Sequence, residues 1–213
     1  MTLTEPPLKR AVVFVDGQNL FRAVKEGFGY TFPNYDILTL SQKLTSAQNW
    51  NLSQVRFYTG IPDKADDPFW AAFWASKLAQ MGRQKIEVYS RTLRYRNHTF
   101  KLPNGQQYTF PVAQEKGIDV RIALDIVRLA AQKRFDVALV LSQDQDLSEV
   151  ADEIRLISKH QMRWIKMASA YPLSPTRINK RGINGTDWIQ IDRTLYDLCI
   201  DLKDHRPKSP RAL

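Results

Sequence analysis

FDVALVLSQDQDL, Phe135 to Leu147, sets a dense apolar run directly before two acids. Its first half is apolar without alternation, the pattern of a strand buried on both faces, which is the mark of a parallel sheet. Asp144 and Asp146 then follow just where the chain leaves the apolar layer. A second copy of this arrangement lies near the start. AVVFV, Ala11 to Val15, is another buried-strand run; it ends in Asp16, with Asn19 close behind. In an open parallel sheet, functional groups collect at the carboxyl ends of the strands. Two strands that each end in Asp can bring those carboxylates together, and oxygen-only clusters suit Mg²⁺ or Mn²⁺.

At the start of the chain, Met1 to Lys9 with Pro6 and Pro7 reads as a loose leader. A helix is expected from about Asn19 to Glu26, stopped by Gly27 and Gly29, and another over Ile37 to Ala47. Gln54 to Thr59 and Lys85 to Arg94 read as strands. Between them, Pro68 opens a helix on which Trp70, Phe73, Trp74, Leu78 and Met81 share a face and read as core. Residues Tyr95 to Ala113 break the βα rhythm. Weak alternation around Pro103-Asn104-Gly105 predicts an inserted β-ribbon there. The next helix, Gly117 to Gln132, is assigned a buried face of Val120, Ala123, Leu124, Val127 and Ala130. Its polar stripe is Arg121, Asp125, Arg128 and Gln132, with Asp125 in surface ion pairs. Asp146 to Ser158 is expected to be helical, Arg163 to Ala168 and Asp187 to Ile191 to be strands, and Thr194 to Lys203 a terminal helix. The basic, Pro-containing tail after it reads as disordered. The alternation predicts an α/β fold, a mainly parallel sheet between two helical layers. One domain is expected over residues 10–203, with flexible tails at 1–9 and 204–213.

The chain has 213 residues, of which 43% are hydrophobic, so it can bury a substantial core. Its formal net charge of +9 points to an anionic partner, nucleic acid first. One cysteine, Cys199, leaves no intramolecular disulfide and no cysteine-based zinc cluster. The apolar run after Arg10 is too short for a signal peptide, and no run approaches membrane-spanning length. No membrane partner is expected, and a reducing cytoplasm is the expected home. The oligomeric state stays open, a homodimer being one option.

Helices in βα units begin at the carboxyl edge of the sheet, so Asp119 in KGID is expected on the same rim as Asp16, Asp144 and Asp146. Four carboxylates converging there repel unless a cation neutralises them. Asn19 and the Ser142 hydroxyl can support the site, and Glu115 sits just before it. Each acid alone also has a plainer role, as a helix cap or a first-turn acid. The order and spacing carry a resemblance. FVDGQNLF (Phe14 to Phe21), EKGIDVRIALDIVRLA (Glu115 to Ala130) and FDVALVLSQDQDLSEVADEIR (Phe135 to Arg155) resemble the three blocks of the NYN-domain family, a branch of the PIN-like nucleases close to the DUF88 group. The late DWIQID (Asp187 to Asp192) is similar to that family's final strand. The resemblance implies a three-layer PIN-like fold and a Mg²⁺- or Mn²⁺-dependent ribonuclease. The implied acidic site is Asp16, Asp119, Asp144 and Asp146, beside Asn19. Gln143 stands where the family commonly has a small residue. Its bulk is expected to narrow the site or touch substrate, which also leaves room for an RNA-binding regulator with a degenerate site. A small phosphohydrolase is disfavoured, because no second Asp follows two residues after Asp16.

Cations gather in two places. Arg94, Arg96 and Lys101 lie in the ribbon, interleaved with Tyr95, Phe100, Tyr108 and Phe110. Arg177, Lys180 and Arg181 lie in a polar loop, within a stretch from Ile154 to Thr186 that has no acidic residue. Cations track phosphates and aromatics stack on unpaired bases, so single-stranded RNA is the expected partner. A solvated face and ordinary hairpin aromatics are the plainer alternative.

Overall fold

The computed structural model describes residues 3–175 and 178–208. In chain order its elements are β1 (Lys9–Asp16), α1 (Gly17–Phe28), α2 (Ile37–Ala47), β2 (Trp50–Ile61), α3 (Pro68–Arg83), β3 (Glu87–Thr92), β4 (Arg94–Lys101), β5 (Gln107–Gln114), α4 (Ile118–Ala131), β6 (Val137–Leu141), α5 (Ser148–His160), β7 (Lys166–Pro172), β8 (Asp187–Ile191) and α6 (Arg193–Asp197). A short 3-10 turn, Gln145–Leu147, precedes α5.

Along β1, Ala11, Val13 and Val15 enter one core while Val12 and Phe14 enter another. β6 divides in the same way, Val137, Leu139 and Leu141 against Ala138 and Val140. Both faces of each strand are therefore covered, which explains the unbroken apolar runs. The first core is filled by Leu20 and Val24 of α1, Leu40 and Leu44 of α2 and Phe73 and Trp74 of α3. The second is filled by Ile122 and Ile126 of α4 and Val150 and Ile154 of α5. The result is a three-layer α/β/α fold around a six-stranded sheet of order β3-β2-β1-β6-β7-β8. Every neighbouring pair in it is parallel. The order reverses between β1 and β6, so the crevice outside their carboxyl ends is the switch point where α/β sheets bind ligands. β4 and β5 form a separate antiparallel ribbon.

Several expectations need correction. Lys9 is no leader: it opens β1 opposite Trp50, and β2 starts there, four residues before Gln54. α1 runs through Gly27 and ends at Gly29, whose φ of 78° closes the helix. β7 starts at Lys166 instead of Arg163. α6 stops at Asp197, because the chain beyond it pairs with the 34–36 segment. The Asp36 amide donates to the Cys199 carbonyl at 2.7 Å and the Asp201 amide to that of Asn34 at 2.7 Å. The expected face of α4 is the wrong one. Val120 and Leu124 are exposed, while Ile118, Ile122, Ile126 and Leu129 are buried. Asp125 shares the buried face, and its partners decide the rotation. Tyr58 Oη donates to it at 2.9 Å, and Arg56, Arg121 and Arg128 pair with it at 3.2, 3.1 and 2.9 Å. It is a buried hub, where surface pairing was expected. The tail does not begin loose either. His205 is buried, its ring bonded to Ser76 Oγ at 2.9 Å and Asp201 Oδ2 at 3.0 Å. Among the described residues, no helix is long and apolar enough to cross a membrane.

Candidate metal centre and nucleic-acid interface

Asp16 is the last residue of β1 and caps α1, its Oδ1 accepting from the Asn19 amide at 3.0 Å. Gly17 follows because β2 passes too close for a side chain: a Cβ there would lie 2.5 Å from Phe57 Cζ. Ser142, at the exit of β6, joins the two strand ends. Its hydroxyl donates to Asp16 Oδ2 at 3.3 Å and accepts from the Asp144 amide at 3.1 Å. Asn19 makes a second tie, its Oδ1 accepting from the Gln143 amide at 3.0 Å. Asp144 then caps the 3-10 turn, accepting from the Asp146 amide at 3.1 Å. Asp119 lies in the first turn of α4.

Asp16, Asp119, Asp144 and Asn19 line one cleft of about 580 Å³ at the switch point, together with Glu115, Gln18 and Arg22. Asp146 is exposed and is not among the lining residues, so the fourth expected acid stands apart. Glu115 takes a place beside the other three. Its Oε2 accepts from the Gly60 amide at 2.6 Å. The sequence signal for it was slight, an acid just before the KGID turn.

Electrostatics inside the cleft are strained. Burial, with a further push from Asp144, raises the Asp16 carboxyl to about 6 against the pull of the Asn19 and Ser142 hydrogen bonds. Burial, then Asp16 and Asp119, raises Glu115 to about 7, against the Gly60 hydrogen bond and the Arg22 charge. Such carboxylates gain from a nearby cation. The donor set is all oxygen, the chemistry of Mg²⁺ and Mn²⁺. Among the described residues, no group of three His, Cys, Asp or Glu is tight enough to grip one ion directly.

Gln143 does not narrow this cleft. Its side chain is buried and turns to the 178–186 segment, donating to the carbonyls of Arg181 at 2.6 Å and Asn179 at 3.4 Å. Gln145 holds the same loop, donating to the Gly182 carbonyl at 3.0 Å and accepting from the Asn184 amide at 3.1 Å. Lys180 and Arg181 are thereby anchored through their backbones with side chains exposed. Arg177 lies outside the described residues.

The ribbon leads straight out of the cleft, since Ala113 and Gln114 at the end of β5 line it. Pairing of His98 with Phe110 and of Phe100 with Tyr108 fixes its faces. One face carries Arg94, Arg96, His98, Phe100, Tyr108 and Phe110. Phe100 and Phe110 stack at 5.6 Å, and Phe100 and Tyr108 are 57% and 63% exposed, so these aromatics are no core. Lys101 lies on the opposite face, apart from the two arginines it was grouped with.

The sequence profile of the NYN domain matches residues 10–168. Among curated proteins, none matches the chain. Of solved structures, a protein of unknown function from Vibrio parahaemolyticus is similar, with a TM-score of 0.51 at 17% identity over 87% of this chain and 94% of that one. At that identity it speaks for the fold alone. MurG from Acinetobacter baumannii is matched at a TM-score of 0.32 and 12% identity, over 85% of this chain and 45% of that one, too distant to carry an argument. The profile spans most of the chain, including all three sequence blocks up to β7, and the sheet and its switch-point cleft agree with it: this chain belongs to the NYN domain family, a branch of the PIN-like nucleases.

Proposed function

We propose that the protein is a Mg²⁺- or Mn²⁺-dependent ribonuclease that hydrolyses phosphodiester bonds of single-stranded RNA, leaving a 5′-phosphate and a 3′-hydroxyl. The observation that carries this reading is the meeting of Asp16, Asp119, Asp144 and Glu115 in one cleft at the foot of a cationic, aromatic ribbon. Asp16, Asp119 and Asp144 would hold the ion, with Asn19 as a neutral oxygen beside them. Bound there, the cation supplies charge neutralisation at the phosphate and a more acidic water.

The chain's own residues do the rest. Ser142 fixes the spacing of Asp16 and Asp144 by bonding to both. Glu115, which lines the cleft and is held at Oε2 by the Gly60 amide, would take a proton from the attacking water. Arg22, also in the cleft, is placed to orient a phosphate oxygen. Arg94 and Arg96 would lead the strand toward the cleft, since Arg94 pairs with Gln114, which lines it.

The test is RNA cleavage with Mg²⁺ or Mn²⁺, with and without chelator, for the wild type and Asp144→Asn, beside a binding titration of each. Cleavage should need the metal and fall at least a hundredfold in the variant, while binding stays within about threefold. Binding without cleavage by either protein would instead favour an RNA-binding regulator.

A further inference from the structure

Beside the acidic cleft lies a second cavity, of about 350 Å³, enclosed by α1, α3 and the root of the ribbon. Its walls include Phe21, Trp70, Trp74 and Tyr95. Trp70 packs against the first core, as expected, yet is only half-buried, and its ring is braced edge-on against Phe73 at 5.1 Å. Tyr95, 37% exposed, is the ribbon's contribution. The partition between the two cavities is thin. Gln18 and Ala113 line both, and Gly60 lines this one while its amide donates to Glu115 in the other. A Cβ at Gly60 would lie 2.4 Å from Leu93 and 2.7 Å from Glu115 Oε2, so only glycine keeps the partition this narrow.

The chemistry of the lining is selective. Flat aromatic walls favour a flat π-system, and the volume is large enough for a purine. Two acceptor oxygens stand at its edge. Gln18 donates one amide hydrogen to the Gly60 carbonyl at 3.3 Å and keeps Oε1 as an acceptor, and Asp67 has one carboxylate oxygen capping Trp70 at 3.0 Å, leaving the other to accept. Asp66, Asp67 and Asp63 are all close enough to act on the Tyr95 hydroxyl, so a phosphate is repelled here while an amine is not.

We propose that this slot holds a nucleobase bearing an exocyclic amine, with adenine fitting best, from the nucleotide next to the phosphate in the acidic cleft. It is a specificity site for single-stranded nucleic acid, and its place relative to the scissile bond rests on the nuclease reading. Uracil, which presents carbonyl oxygens where adenine presents an amine, meets the acceptors of Gln18 and Asp67 unfavourably. The acidic cleft takes the charge and the aromatic slot takes the base.

The test uses the full chain with Mg²⁺ present; a mononucleotide has no phosphodiester bond to cut, so the readout does not depend on cleavage. AMP, UMP and ribose 5-phosphate are titrated separately and followed by tryptophan emission and by calorimetry. AMP should bind at least fivefold more tightly than UMP, and ribose 5-phosphate should not bind measurably. Tyr95→Ala and Trp70→Ala should each weaken AMP by roughly tenfold, the usual effect of removing one ring stacked on a base. Trp70→Phe, which keeps a ring, should bind nearly as well as wild type and guards against misfolding of the alanine variant. Failure of AMP to bind, equal binding of ribose 5-phosphate, or AMP binding that survives both alanine variants overturns the proposal. So does a dimer in light scattering that Tyr95→Ala abolishes while AMP binding stays intact, which would give the slot to a second copy. A protein that binds AMP in this way yet cuts no RNA keeps the base slot and loses the nuclease; one that cuts RNA but ignores Tyr95→Ala does the reverse.

Discussion

Gln143 donates its side-chain amide to the Arg181 carbonyl at 2.6 Å, facing away from the cleft that its neighbour Asp144 lines. Alternate residues of SQDQDL thus serve different ends. Asp144 turns to the cleft, while Gln143 and Gln145 bind the loop that carries Lys180 and Arg181. The arrangement has a small but visible cost: Gln143 Oε1 is buried with no hydrogen-bond partner.

Gln143→Gly should therefore leave the rate of any cleavage within about threefold, because no bulk leaves the cleft. It should cost about 1–2 kcal/mol of stability by removing the side-chain bonds to the loop, partly offset by removal of the orphaned oxygen. Faster amide hydrogen exchange over residues 178–186, read by mass spectrometry, checks the mechanism. A large gain in cleavage would show that Gln143 obstructs the site after all.

The acids of the third block should separate in the same way. Asp146 is exposed and outside the cleft lining, whereas Asp144 lines it. Asp146→Asn should reduce cleavage less than tenfold, and Asp144→Asn or Asp119→Asn at least a hundredfold. Mn²⁺ should raise the melting temperature of the wild type and of Asp146→Asn, but raise that of Asp144→Asn less. Equal damage at Asp144 and Asp146 would mean that the cleft rearranges when loaded.

Strand positions were legible because Ala11–Val15 and Phe135–Leu141 show no alternation, and only a sheet covered on both faces explains that. The rim position of Asp16, Asp119 and Asp144 followed from strand ends and a helix start. What could not be read was rotation and reach. α4 offers two apolar stripes of similar strength, and the choice between them depends on Arg56 and Tyr58, far away in sequence on β2. Gln143 looked like bulk in a site because sequence spacing does not tell which way a side chain turns. The short α6 and the buried His205 follow from pairing with residues 34–36 and with Ser76, contacts across more than a hundred residues that leave no local pattern.

Asp125 shows the energetic consequence of that rotation. Burial alone would raise its carboxyl, but the Tyr58 hydroxyl, then Arg56 and Arg121, more than offset this and hold it below the usual carboxylate range. A depressed carboxyl contributes stability that is present above its unfolded value and lost as pH falls through the folded one. Asp125→Ala should cost about 3 kcal/mol at pH 7, since it leaves Arg56 buried and short of a partner. Measured in urea, the gap between wild type and Asp125→Ala should shrink as pH drops from about 5 to about 3. A gap that stays constant with pH would remove the charge from the explanation.

The two faces of the ribbon make the last prediction. Arg94 and Arg96 share a face with Phe100, Tyr108 and Phe110, and Lys101 lies on the other. A single strand laid along the first face would meet cations and exposed rings together, the combination that binds unpaired nucleic acid without sequence preference. Removing one cation that neutralises a phosphate lowers the slope of log affinity against log salt by about 0.7 for a single strand. Arg94→Ala and Arg96→Ala should each reduce that slope by about this amount, and Phe100→Ala should weaken binding roughly tenfold without changing the slope. Lys101→Ala removes the same charge from the opposite face and should change affinity less than twofold. A single-stranded oligonucleotide titrated by fluorescence anisotropy at four salt concentrations gives both quantities. If Lys101→Ala and Arg96→Ala lower the slope equally, the ribbon acts only as a diffuse positive charge, and its aromatic face has no part in binding.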